Sequence, residues 1–209
     1  MGPPLHARQH ASIESAEVAP FTGSNPEKVI QTFRGHIAQL LNSTITDAPL
    51  SIVGARRSVN ELKATLSLGG KTTDIARAVP LRQKPLHLLL VQNVSVIREP
   101  KAREWRLKTL QYSYRIQAGP SLDSEWYFRF EYKAREIEDS LHPRHHIHLP
   151  VSLECGTTRV NLSRVHIPTG WVPLEEVIRF LIEELGVKAK TRDWDSVLRR
   201  NEEKSSLPL

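Results

Sequence analysis

The chain has 209 residues, with 29 Lys or Arg against 23 Asp or Glu and a single cysteine, Cys155. That length buries a core without covalent staples, a lone cysteine excludes an intramolecular disulfide, and the longest mainly apolar stretches, such as Leu86 to Val91 with His87 inside it, fall far short of the roughly 20 residues that cross a bilayer. A formal charge of +6 leans toward an acidic or polyanionic partner, and with no secretory pattern in view a reducing, cytoplasmic setting is expected.

Residues 1–24 are rich in Pro, Ala, Ser and His without a sustained period, and read as a flexible leader to a single domain over 25–209. Asn25-Pro26-Glu27 then supplies a cap, a proline for the first helical position and an early carboxylate. Val29, Ile30, Phe33, Ile37, Leu40 and Leu41 follow at helical spacing, which predicts an amphipathic helix to about Asn42, with His36 at its boundary. Leu50 to Val53 and Leu62 to Leu68 read as strands, the second ended by Gly69-Gly70, where the chain can turn with positive φ. The Lys71-Thr72-Thr73 that follows is not a phosphate loop, because that motif requires a glycine where Thr65 stands.

An antiparallel meander is expected from Leu86: strands over 86–98, 103–117 and 125–133, the last two joined by a turn at Ala118 to Ser121. Alternation of Tyr112, Tyr114 and Ile116, and of Trp126, Phe128, Phe130 and Tyr132, requires a strongly aromatic sheet face, and such a face is usually covered by a helix. The cover is predicted after Pro173, where Leu174, Val177, Ile178, Leu181, Ile182 and Leu185 form one stripe stopped by Gly186. A short helix from Asp193 to Lys204 closes the chain. The fold class is therefore α+β: an antiparallel sheet of about five to seven strands with amphipathic helices packed on it.

Two regions carry candidate chemistry. Between Arg98 and Arg115 lie Arg98, Lys101, Arg103, Arg106, Lys108 and Arg115 against only Glu99 and Glu104, with Trp105, Tyr112 and Tyr114 interleaved. Such a hairpin offers charge to a phosphate backbone and rings to bases; a solvated face over buried aromatics is the simpler account and the one preferred. The second region is Pro143-Arg144-His145-His146-Ile147-His148-Leu149-Pro150, part of a stretch with five histidines between His142 and His166. If it is extended, His146 and His148 share one face and His145 takes the other.

Four readings fit these histidines. His146 and His148 can act as general base and acid on RNA, with Arg144, Arg164 or Arg129 as the cation and a tyrosine hydroxyl from Tyr112 or Tyr114. They can instead ligate a metal, with His166, His142, Glu131 or Glu154 as third ligand, and with Cys155 available to zinc. They can make structural hydrogen bonds at a strand end, or belong to a basic binding surface. Finally, His142 and His145 can lend adventitious metal affinity without function.

The segment from about Val96 to Leu185 resembles the TumE-type toxins of prokaryotic toxin-antitoxin modules. The pattern is Tyr112-Ser113-Tyr114-Arg115, an aromatic strand at Trp126 to Phe130, Pro143 to His148 in the manner of Pro-x-His-x-His with one extra residue, and Leu174-Glu175-Glu176-Val177 at the start of a helix. The resemblance implies a small cytoplasmic α+β toxin that acts on RNA and pairs with a DNA-binding antitoxin protein, with Tyr112, Tyr114, Arg115, His146 and His148 at the matching positions.

The leading expectation is a toxin-like, metal-independent ribonuclease. Its catalytic residues are His146, His148, Arg115, Tyr112 and Tyr114; Arg144, Lys101, Arg103, Arg106 and Lys108 bind RNA. It needs no cofactor, a divalent ion at His146/His148 being the runner-up, and it has no membrane partner and room for a homodimer. The alternative is a non-enzymatic basic module that binds nucleic acid or protein.

Overall fold

The computed structural model describes residues 21–70, 77–99, 103–134, 143–162 and 165–205. The expected leader up to residue 20, Lys101, His142 and Arg164 lie outside the described residues. In chain order the elements are β1 (Thr22–Gly23), α1 (Pro26–Thr44), β2 (Leu50–Arg57), β3 (Glu61–Leu68), β4 (Val79–Pro80), β5 (His87–Arg98), β6 (Trp105–Gln117) and β7 (Trp126–Lys133). They continue with β8 (His145–His148), β9 (Ser152–Cys155), β10 (Thr158–Asn161), β11 (Ile167–Pro168), α2 (Leu174–Glu183) and α3 (Trp194–Ser205).

Nine strands make one antiparallel sheet in the order β11-β8-β7-β6-β5-β3-β2, with β1 beside β6 and β4 beside β5; β9 and β10 form a separate hairpin. The α+β class and the meander agree with the sequence. The strand count exceeds five to seven because β1, β4 and β11 are two residues long, too short to show alternation.

Local chemistry starts α1 where the sequence places it. Asn25 is extended and its side chain accepts a hydrogen bond from the Lys28 amide at 2.9 Å, which satisfies one of the amide donors orphaned at a helix start. At the end of β3, Gly69 has φ 69°, and a Cβ there would lie 2.6 Å from Val79, so both backbone and packing demand glycine. Gly186, with φ 65°, ends the α2 segment as its position after the apolar stripe suggested.

Alternation along the strands divides the sheet into two unlike faces. One carries Leu66, Leu88, Leu90, Tyr112, Tyr114, Ile116, Phe130 and Tyr132, all buried with the apolar stripes of α1 and α2 in a single core. Phe180 of α2 meets Phe128 and Phe130 edge-on at 5.1 and 5.9 Å. The helices cover this face, as expected from its aromatic content.

Arg179 binds Glu176, Asp195 and Glu202, tying α2 to α3. Beside this network Glu175 is only 6 % exposed, and burial raises its carboxyl above the ordinary value of 4.5. A carboxyl raised in the folded state penalises folding wherever the unfolded chain would ionise it, so the penalty is present at neutral pH and disappears as pH falls below about 4.5. Glu175→Gln should therefore raise the thermal midpoint at pH 7 and change it little at pH 4. An unchanged or lower midpoint at pH 7 would mean that the carboxylate is stabilised by its surroundings.

Candidate functional site

The second face of the sheet holds the ionisable groups. The antiparallel register sets Ser113 opposite Glu131 and Glu131 opposite His146 in one row. The adjacent row runs Arg115, Arg129, His148. β11 pairs with β8 through Ile167 to Ile147 and Pro168 to His146, so continuing that register by one residue brings His166 level with His148. Two residues of separation along β8 thus become two imidazoles on one face, and the edge strand adds a third.

The three rings converge. Their centroids lie 4.8 Å apart for His146 and His148, 4.8 Å for His146 and His166, and 4.3 Å for His148 and His166. One ring nitrogen from each lies within 4.8 Å of the others. Oε2 of Glu131 is 3.3 Å from His146 Nε2, 3.0 Å from His148 Nε2 and 3.3 Å from Arg129 Nε. His146 and His148 are 3 % and 4 % exposed, whereas His166 and Glu131 are half-buried.

The proton positions are constrained. His146 Nδ1 is 2.7 Å from the Pro143 carbonyl oxygen, which can only accept, so Nδ1 carries the proton. In the neutral ring Nε2 then turns a lone pair toward the Glu131 carboxylate. His148 has neither ring nitrogen in a hydrogen bond, its 3.0 Å approach to Glu131 lacking hydrogen-bond geometry. Burial, reinforced by Arg129 and opposed by Glu131, lowers its pKa to about 4, so His148 is a neutral ring near pH 7. Convergent imidazoles beside a carboxylate can share a proton, hold a divalent cation, or take a proton from a reacting hydroxyl.

Of the expected catalytic residues, His146, His148 and Arg115 are brought together. The Arg115 guanidinium donates to Gln117 Oε1 at 2.6 Å and to the Leu122 carbonyl at 2.7 Å, and burial followed by the nearby Arg129 lowers its pKa. Tyr112 and Tyr114 are placed elsewhere. Odd and even positions of β6 face opposite ways, so both tyrosines lie on the helix-covered face, stacked on each other at 4.4 Å. The Tyr112 hydroxyl, on a residue only 1 % exposed, bonds the Val172 carbonyl at 3.0 Å, and burial raises the pKa of both phenols. Tyr112 holds the approach to α2 against the sheet, while the Tyr114 hydroxyl donates to Gln92 Oε1 at 3.4 Å.

The expected binding residues are dispersed. Arg106 and Lys108 pair with Ile97 and Ser95 toward the other end of β6, Arg103 lies just before β6 with φ 54°, and Arg144 lies over the Tyr132 ring at 5.9 Å. His145 stacks on Tyr132 at 4.7 Å and meets Trp171 edge-on, which makes it part of the aromatic packing. Of the other third-ligand candidates, Glu154 stays on the separate β9–β10 hairpin, near Arg159. Glu131, Arg129 and His166 were named in the sequence only among several alternatives; parity along β7 puts the first two on the face opposite its aromatic residues, and only the pairing of β7 with β8 brings them to the histidines. The Pro143 carbonyl leaves no sequence signal.

No family model, curated protein or solved structure matches the chain. Among the described residues, no helix is long and apolar enough to cross a membrane.

If Tyr112 is a packing residue, Tyr112→Phe should cost about 0.5–1.5 kcal/mol in urea unfolding through the lost hydroxyl bond and leave any activity of the histidine cluster intact. Lost activity at unchanged stability would place the phenol in the chemistry.

Proposed function

We propose that the protein is a ribonuclease, of the toxin type its motifs resemble, that cleaves RNA phosphodiesters at the cluster of His146, His148, His166 and Glu131. The observation that carries this reading is the confinement of three imidazoles, a carboxylate and two guanidiniums to adjacent rows of one sheet face. Breaking a phosphodiester through an attacking hydroxyl needs a group to take that proton and a cation to balance charge developing on phosphorus. The cluster meets the first need; Arg115 and Arg129, in the row of His148, meet the second.

A neighbouring groove offers the substrate a path. It encloses about 630 Å³ and is lined in part by Arg56, Lys63, Thr65, Asn93, Gln111 and Lys133. Lys133 is two residues from Glu131 on β7, about 7 Å along the same face. Between the cations, Thr65 bonds Asn93 at 2.7 Å and Asn93 bonds Gln111 at 3.4 Å, giving a polar floor against which a ribose or base edge can hydrogen-bond. The same groove supports a second reading, a binding module without catalysis, in which only salt-dependent contacts matter.

End-labelled single-stranded RNA distinguishes the two. Wild type should cleave it, His146→Ala/His148→Ala should not, and Arg115→Ala should lower kcat by about 100-fold or more, as for loss of one charge-stabilising donor. In fluorescence anisotropy, Lys63→Ala/Lys133→Ala should weaken binding and reduce the slope of log affinity against log salt by about 1.4, the contribution of two phosphate contacts on a single strand. Binding without cleavage by wild type would establish the binding module; neither activity would dismiss both readings.

A further inference from the structure

We propose that His146, His148 and His166 are the ligands of a divalent transition-metal ion, of which zinc is the best fit, with Glu131 beside its fourth position. The inference does not require the ribonuclease reading. Three features point to a cation.

The first is the orientation of His146. Its Nδ1 is engaged by the Pro143 carbonyl at 2.7 Å, the arrangement by which an outer partner fixes the tautomer and aim of a ligating imidazole. That leaves Nε2 as the ring atom that faces Glu131 Oε2, at 3.3 Å, and in the neutral ring this atom is an electron-pair donor. A cation between such a nitrogen and a carboxylate oxygen attracts both.

The second feature is His148, which is 4 % exposed and has no hydrogen bond to either ring nitrogen. A buried polar group without a partner is costly, and a metal bond at one nitrogen would supply the missing interaction. The third is the donor set. Three imidazole nitrogens within 4.8 Å of one another need only modest ring rotation to reach the separation of about 3.4 Å that bonds of about 2.0–2.1 Å imply around a tetrahedral ion. Nitrogen donors favour zinc and its neighbours over magnesium or calcium, which take oxygen.

Three protein ligands leave one coordination position, the pattern of sites that act on a bound water. Glu131, with Arg129 Nε 3.3 Å from its Oε2 as a compensating charge, is placed to accept a hydrogen bond from that water. If the ribonuclease reading also holds, the ion serves the same cluster: a bound hydroxide takes the proton of the attacking 2′-hydroxyl, the oxygen–phosphorus bond forms, and the 5′-oxygen leaves with a proton returned from the resulting water.

The test uses the full chain, stripped with a chelator and then titrated with Zn²⁺, or with Co²⁺ as a spectroscopic probe, in the absence of RNA. One equivalent should bind, raise the thermal midpoint and, for Co²⁺, give visible ligand-field absorption. His146→Ala, His148→Ala and His166→Ala should each abolish stoichiometric binding; Glu131→Gln should weaken it by about 10–100-fold, as for loss of an outer partner; His36→Ala should not affect it. Circular dichroism checks that each variant is folded, and the midpoint shift of wild type gives an answer even where a variant is not. No binding by wild type, or binding undiminished in the folded variants, would overturn the site. Metal bound without RNA cleavage would overturn the ribonuclease reading and leave the site standing, whereas cleavage by a protein that binds no metal would do the reverse.

Discussion

The register of β8 against β7 is the constraint on which the rest of the site depends. Because side chains alternate with a period of two, a slip of one residue would carry His146 and His148 to the aromatic face and bring His145 and Ile147 to the polar one. The observed pairing of Glu131 with His146 and Tyr132 with His145 satisfies both faces at once. His145 finds the Tyr132 ring and Trp171, while the other two histidines find Glu131. Packing on one face thereby specifies the electrostatics of the other.

That electrostatic arrangement gathers several charges and dipoles around one carboxylate oxygen. Glu131 is approached by Arg129 and two imidazoles within 3.3 Å, and partial burial strengthens each interaction relative to water. The guanidinium supplies a fixed positive charge, so the carboxylate is compensated even when both rings are neutral. A neutral ring beside it keeps an electron pair to donate, which is what a metal ligand requires and what an imidazolium cannot do. The unsatisfied nitrogens of His148 fit this division of labour.

The two faces also separate the core from the candidate site. Tyr112, Tyr114 and the α2 stripe form a continuous core, and the loss of a contact there acts on folding. Arg115, the next residue in β6 after Tyr114, points the other way and joins Arg129 and His148. Adjacent residues of one strand therefore belong to different faces, and a short motif such as Tyr112-Ser113-Tyr114-Arg115 mixes core positions with positions of the candidate site.

Much of the fold was legible in the sequence: α1 from its cap and apolar period, the meander from its alternation, α2 from its stripe and Gly186. These signals are local, since capping, helical period and strand period each act within a few residues. The shared face of His146 and His148 was legible for the same reason. What only the tertiary structure decided is which distant residues meet them. Glu131, Arg129 and His166 join the cluster through inter-strand pairing, and Tyr112 and Tyr114 leave it because a helix covers their side of the sheet. Periodicity along one strand cannot encode these choices; they arise when a sheet buries one face and hydrogen bonding to its neighbours sets each strand in register.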